Sequence, residues 1–477
     1  MIGWIILGVI GVFVAVLLIR AARFVPKQEP AIQKTKVHVN REKIVDDFAG
    51  MIQCRTVSYI DDSLVEWSEF ERFEQLLRER FPLIYEKCSF QKIGKTGLLF
   101  KLEGESSEAP SVCMAHYDVV PVEEDGWDKP PFEGIVEDNV VWGRGTIDTK
   151  STLCGILEAA EQLLSEGYKP KNDLYFSFSG EEEIDGPSCK DIVDYLDLQG
   201  IKPAFVLDEG GAVVENVFPG VDRQCALIGI CEKGGVNLKF SMESSGGHAS
   251  TPPVHTVLGQ LSKAVIKIEK HPFKMQFIKP VALMFDTLGR HTPFMYRIVF
   301  ANLWCFKPIL GFVSKKLGGE FNAMFRTTVA VTKMEGSKAY NVLPAKASFD
   351  IDMRLLGEDT IDTATQYLTK VIKNEKITHT FIKGANASIY SDMNCEGWEI
   401  LKKAIRQNWP EALVSPYLAM ARSDSRYYYK ITDKVYRFSP MRLSKEERAL
   451  VHGNNERIPV ETVVKTVEFY IRLLKML

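Results

Sequence analysis

Residues 111–122 read SVCMAHYDVVPV. Five small or apolar residues suit a buried strand, and the chain then breaks into His116-x-Asp118, where an open α/β sheet presents its ligand-binding edge. Three further stretches repeat the form. VVWGRGTIDTK (140–150) delivers Asp148 just ahead of a helical pattern, YFSFSGEEEIDG (175–186) delivers Glu181, Glu182 and Glu183 beyond a strand, and FVLDEGG (205–211) delivers Asp208 and Glu209. Far downstream, RALVHGNNERI (448–458) adds His452.

Around these fragments, apolar strands at 97–102, 111–115, 174–179 and 204–207 alternate with helical patterns at 149–166 and 190–198, which predicts an α/β sheet with helices on both faces. Near residue 224 the texture changes. Residues 226–242 (ALIGICEKGGVNLKFSM) and 329–356 are strand-like, and 256–270 and 360–374 are helix-like, so an α+β module is predicted as an insertion over 224–380. It divides the first domain into 41–223 and 381–477. Within the insertion, 272–325 is rich in Phe, Leu, Met and Trp and too long for a simple loop. Acyl-chain wall, bilayer contact and internal packing are the three readings open to it.

The first 19 residues carry no charge, and Arg20, Arg23 and Lys27 follow at once. That length suits a membrane span, and a secretory signal would carry its positive charge ahead of the apolar run. Residues 1–24 are therefore predicted to be an uncleaved single-pass anchor and 25–40 a polar tether. The positive-inside rule puts the catalytic domain in the cytoplasm. Nine cysteines, an odd number with no Cys-x-x-Cys pair, fit a reducing compartment. The 477 residues exceed one compact core, and a net charge of −3 offers no global field for a phosphate backbone, so no nucleic-acid partner is expected.

Each acidic or histidine fragment has an ordinary reading. A lone His is often a satisfied core residue, Glu181 to Glu183 could open a solvated helix, and Asp148 and Asp208 could be helix caps. Their coincidence at predicted strand ends, in a chain of only eight histidines, favours a hydrolytic zinc site.

With GGHASTPP (246–253), FRTTVAVTKMEGSKAYNVLP (325–344), Asp352-Met353-Arg354, SDSRYY (423–428) and HGNNERI (452–458) in the same order, the chain resembles the dizinc aminoacylase and carboxypeptidase family of metallopeptidases. Within it, the carboxypeptidase S-like branch that includes N-fatty-acyl amino acid hydrolases is most similar. The resemblance implies a zinc-exopeptidase-like catalytic domain with a central mixed sheet, an inserted α+β dimerisation or lid domain, and two Zn²⁺ ions, or other divalent ions such as Co²⁺ or Mn²⁺. One ion would take His116, Asp148 and Asp208, the other Asp148, Glu183 and His452, with Asp148 bridging. Two cations about 3.5 Å apart need an anion between them. Glu182 would be the general base and Asp118 would orient His116. A register shifted by one residue would make Glu181 the base.

In the inserted domain the resemblance assigns His248, Asn341 and Arg354 to the substrate, and it implies a homodimer in which the histidine serves the partner's site. Where relatives carry Gly-Gly-Thr-Asp, this chain reads Ala421-Arg422-Ser423-Asp424, so Arg422 becomes an added substrate contact. The expected activity is hydrolysis of an amide bond beside a free carboxylate in a small peptide or N-acyl amino acid. A di- or tripeptidase of aminopeptidase type, or a binding protein that has lost catalysis, are the competing readings.

Overall fold

The computed structural model describes residues 1–28, 30, 32 and 36–477. The expected tether over 25–40 therefore falls partly on positions 29, 31 and 33–35, which lie outside the described residues. Strands β1 (Ser89–Ile93), β2 (Gly97–Leu102) and β3 (Ser106–His116) precede a small meander of β4 (Ile135–Glu137) and β5 (Val140–Trp142). Next come β6 (Asn172–Ser179), β7 (Phe205–Val214) and β8 (Cys225–Glu232), then β9 (Gly234–Glu243), β10 (Gly247–His248), β11 (Thr328–Glu335), β12 (Val342–Leu343), β13 (Lys346–Leu355) and β14 (Ile377–Ala385). The chain ends through β15 (Leu413–Ala419), β16 (Val435–Leu443) and β17 (Arg457–Pro459).

Eight strands form one mixed sheet in the order β1-β2-β6-β3-β7-β16-β8-β15. Its middle, β6-β3-β7-β16, is parallel. Side chains alternate between two cores, as the two-residue strand period requires. Cys113 and Ala115 enter the larger core, whereas Val112 and Met114 meet Cys189, Ile192 and Val193 of the Ser188–Leu198 helix on the opposite face. Helices Lys150–Ser165 and Val460–Leu474 cover the first face.

A second sheet, β11-β13-β9-β14, is wholly antiparallel and has its own core of Phe240, Phe349, Ile351, Leu261 and Leu368. Two expectations change here. Strand β8 belongs to the large sheet, paired with β15 and β7, so the chain crosses to the small sheet at Lys233–Gly234 and not at residue 224. All of β8 is buried, and its uninterrupted apolar run is the signature of a strand covered on both faces. The 272–325 segment is mainly helical, and Val281, Met284, Phe285, Leu288, Phe300 and Phe325 join the large core and not that of the insert.

The N-terminal helix Ile2–Arg23 is long and apolar enough to cross a membrane, a property it shares with signal sequences. All nine cysteines are free thiols, and seven are buried.

Gly211 shows how tightly β7 and β8 meet, because a Cβ there would lie 1.8 Å from the Leu227 carbonyl oxygen. Backbone cannot yield as a side-chain tip does. Gly211→Ala should lower the urea unfolding midpoint, at a cost of about 1–3 kcal/mol or more. Gly50 lies within the Arg41–Gln53 helix, and a Cβ there would meet only Leu76 side-chain atoms at 3.6 Å. Gly50→Ala should raise the same midpoint, through a stabilisation of about 0.5–1 kcal/mol.

Candidate metal centre

The parallel strands deliver their chemistry at their C-terminal ends. His116 closes β3 in register with Ser179 of β6, and the turn after β6 carries Glu182 and Glu183 in a short 3-10 helix, Glu182–Ile184. Asp148 immediately precedes the Lys150–Ser165 helix, whose N-cap is Thr149. His452 arrives from the C-terminal region in a left-handed backbone conformation, φ 59°.

Asp148 lies between the two histidines. Its Oδ1 is 3.0 Å from His116 Nε2 and its Oδ2 is 3.1 Å from His452 Nε2. The same His452 nitrogen is 3.1 Å from Glu183 Oε2. On the His116 side the third donor is Glu209, with Oε1 3.3 Å from Nε2. Asp208, expected there from the sequence, instead accepts a hydrogen bond from the Ser425 backbone N–H at 3.0 Å. The glycine-rich run after Glu209 breaks the regular pairing of β7 with β16 between Asp208 and Gly211, so simple alternation does not predict which of two adjacent carboxylates faces the site.

Asp118 is buried and acts in two directions. Its backbone carbonyl oxygen lies 3.0 Å from His116 Nδ1. Its carboxylate accepts the Glu182 and Glu183 backbone N–H groups, each at 3.1 Å, and the Ser58 hydroxyl at 2.7 Å. Glu181 points elsewhere and accepts from the Thr96 hydroxyl.

The donor set fits divalent cations. His116, Asp148 and Glu183 have donor atoms within 4.8 Å of one another, and so do His116, Glu182 and Glu209. With zinc–ligand bonds of about 2.0–2.2 Å, tetrahedral geometry spaces neighbouring donors about 3.3 Å apart, close to the spacings seen here. The electrostatics agree. Burial pushes the Glu182 carboxyl well up against the pull of His116, with Asp424, Glu209 and Glu183 adding to the rise. Burial likewise raises Glu209 to about 8. His116 and Asp148 are driven the other way, toward their charged forms: the carboxylates around His116 outweigh its desolvation, and the two imidazoles outweigh that of Asp148. Hydrogen bonds donated to Asp148 and Glu183 raise His452 to about 10.

Several supporting residues carry no motif of their own. Glu456, four residues after His452, is fully buried and accepts from the backbone N–H groups of Gly145, Ile147 and Asp148 and from Arg144. It thereby shapes the loop that presents Asp148. Lys150, also buried, donates to the Met51 and Cys54 carbonyls at the base of the same loop. Both lie inside stretches singled out for their neighbours, and a buried charge is not legible from residue type.

A cavity of about 560 Å³ opens on Asp148, Glu182, Glu183, Glu209 and His452. Away from them its wall is largely apolar, including Val214, Leu227, Met420 and Met441. Arg422 lines it too, with its guanidinium held by Asp185 at 2.7 and 2.8 Å. His248 and Asn341 are exposed, His248 on the β10–β12 ribbon with Nδ1 2.8 Å from the Ser250 hydroxyl. Arg354 pairs with Asp352 at 2.9 Å. Those three residues are absent from the cavity lining.

A mixed sheet with carboxylates and imidazoles gathered at the ends of its parallel strands, beside a small antiparallel domain, defines a metal-dependent hydrolase. The family model for peptidase family M20/M25/M40 matches residues 112–476, and the chain belongs to that family. It is 34% identical to an N-fatty-acyl-amino acid synthase/hydrolase PM20D1 of Xenopus tropicalis, an alignment spanning 97% of this chain and 92% of that protein. It is 31% identical to probable carboxypeptidase S-like 2 of Dictyostelium discoideum over 96% and 91% of the two chains. In fold it is similar to the M20 family metallo-carboxypeptidase Sso-CP2 of Sulfolobus solfataricus, with a TM-score of 0.66 at 17% identity, covering 91% of this chain and 98% of that one. It is thus a metal-dependent hydrolase of carboxypeptidase or N-acyl amino acid hydrolase type.

Glu209→Ala should lower zinc occupancy after metal stripping and reloading, read by elemental analysis. Asp208→Asn should leave occupancy close to the parent's, because Asp208 engages backbone.

Proposed function

We propose that this chain is a membrane-anchored, two-metal amidohydrolase that cleaves the amide bond of N-acyl amino acids, with small peptides as secondary substrates. The observation that carries this reading is the apolar wall of a cavity that opens on the catalytic carboxylates. A tripeptidase pocket would present polar groups to a free α-amine and peptide amides.

Zn²⁺ ions held by His116, Asp148 and Glu209 and by Asp148, Glu183 and His452 would supply Lewis acidity for the scissile carbonyl and a lowered pKa for water. Glu182 takes a proton from the attacking water on its carboxylate and returns it to the leaving amine. Asp118 fixes the His116 ring through its carbonyl oxygen and sets the direction of Glu182 through two backbone amides. An acyl chain laid along the apolar wall would displace water from the site, which strengthens the electrostatic contacts inside.

Arg422 lies closest to this chemistry among the residues proposed for the substrate carboxylate. Arg354, His248 and Asn341 stand on the small sheet or its loops, so in this reading a homodimer partner brings its His248 to the site. The proposed layout is an anchor at 1–24, a tether to about 40, and a catalytic body interrupted by a lid module. The basic flank of the anchor favours a cytoplasmic catalytic domain.

Glu182→Gln should retain zinc while turnover falls by about a hundred- to ten-thousand-fold. Steady-state rates on N-acyl amino acids of increasing chain length, compared with dipeptides, should rise with chain length until the cavity is filled, and Met420→Trp should shift the optimum to shorter chains. A dipeptide preference throughout would defeat the acyl-chain assignment. Mixing inactive Glu182→Gln chains with inactive His248→Ala chains should restore activity through heterodimers, and heterodimers without activity would show that each chain completes its own site.

A further inference from the structure

The N-terminal helix is not simply appended to the body. Leu17, Ala21 and Phe24 are buried. Arg20 donates to the Ala301 carbonyl from Nε and Nη2, at 3.2 and 2.9 Å. Asn302, fully buried, donates to the Leu17 carbonyl at 3.1 Å. Arg290 donates to the Val25 carbonyl and lies over the Phe24 ring. These contacts tie residues 17–25 to the 290–302 region, part of the apolar excursion whose role the sequence left open.

From that junction two helices, Phe294–Phe300 and Leu303–Leu317, turn away from each other by 97°. The corner rules out one straight span. Their outer surface is nevertheless apolar, with Met295 73%, Trp304 56%, Phe312 61% and Leu317 72% exposed. Trp304 packs edge-on against Phe13 of the N-terminal helix, with ring centroids 5.9 Å apart. The exposed apolar flank of Ile2–Arg23 and this hairpin are therefore one continuous surface. Lys307, Lys315 and Lys316 lie on the second helix, and Arg20, Arg23 and Lys27 near the end of the first. Exposed apolar and aromatic side chains interleaved with lysines are the chemistry of a helix lying at a lipid headgroup boundary.

We propose that the hairpin 294–317 is a lipid-docking element that inserts beside a retained N-terminal helix and sets the catalytic body against the bilayer surface. A cleaved leader would take from Asn302 and from the Ala301 carbonyl the Leu17 and Arg20 partners found here. The hairpin runs directly into the short helix Gly319–Ala323, whose Glu320 lines the catalytic cavity. Bilayer-dissolved amphiphiles would thus reach the site along the protein from the membrane, a consequence that rests on the N-acyl amino acid reading, whereas the docking itself does not.

The test uses the full chain reconstituted in phosphatidylcholine vesicles, with benzoylphenylalanine placed in turn at Val9, Phe312 and Val254. Val254 is a still more exposed apolar residue near the small sheet, 94% exposed. Irradiation should give lipid adducts from positions 9 and 312 and none from 254. Adducts from 9 without any from 312, or from neither, would overturn the docking, as would a mature cellular chain whose N-terminus begins beyond Arg23. Phe312→Glu with Leu317→Glu should abolish the adduct from a probe at Trp304. The same double variant should slow turnover of a long-chain N-acyl amino acid dissolved in vesicles, while a short, water-soluble N-acyl amino acid is cleaved as by the parent. A parent enzyme that cleaves neither substrate would defeat the proposed function and leave the photolabelling result standing.

Discussion

One carboxylate, Asp148, faces two histidines that enter from sequence positions more than three hundred residues apart, and much of the fold serves to keep it there. His116 comes from the end of a central parallel strand and His452 from a turn near the C-terminus held in a left-handed conformation. A largely buried anion without partners would cost several kcal/mol. The loop presenting it is fixed by Glu456, itself a buried anion, which is neutralised by Arg144 at 2.7 Å and by backbone amides. Charge is passed outward in steps, each with a hydrogen-bonded partner.

Carboxylates outnumber imidazoles at the centre of the site. Glu182, Glu183, Glu209 and Asp148 crowd two imidazoles, and burial together with neighbouring carboxylates drives Glu182 and Glu209 upward. Asp424, held by Ser179 at 2.5 Å, is raised to about 7 for the same reasons. A protein interior concentrates negative charge in this way where it binds divalent cations. Two buried lysines are committed to backbone: Lys150 donates to the carbonyls of residues 51 and 54, and Lys233 to those of residues 323 and 326.

The strand ends were the legible part of the sequence. Residues 97–102, 111–115 and 174–179 are short apolar runs bounded by turn residues, and they lie within β2, β3 and β6. Three properties were not legible, each for a physical reason. Strand β8 reads as part of the inserted texture because a strand buried on both faces loses the alternation that marks a sheet's neighbours. The choice between Asp208 and Glu209 depends on irregular backbone at Gly210 and Gly211, which a two-residue period does not describe. The 272–325 segment looks like an elaboration of the insert because its apolar residues announce burial without saying against which core, and Phe285 and Phe325 pack into the body.

Asp185 joins the catalytic turn to the small sheet, and its partners indicate how firmly. It follows Glu182–Ile184 in a left-handed conformation and collects Arg422 at 2.7 Å, Arg426 at 3.0 Å and Lys383 of β14 at 3.0 Å. Arg422 and Arg426 belong to the same body as Asp185 and are mostly buried; Arg422, then Lys383 and Arg426, hold its carboxylate below the usual range despite desolvation. Lys383 is the one member from the small domain, with a side chain 44% exposed. An ion pair that accessible contributes about 0–1 kcal/mol, far less than a packed core. The small sheet has a hydrophobic core of its own and meets the body here through this exposed contact, while the Asp185–arginine cluster keeps the Glu182 turn in place. Arg354 and His248 belong to the small domain, and Arg422 to the body. Arg422 is shared between Asp185 and the cavity wall, so the ion cluster that joins the two domains also borders the site.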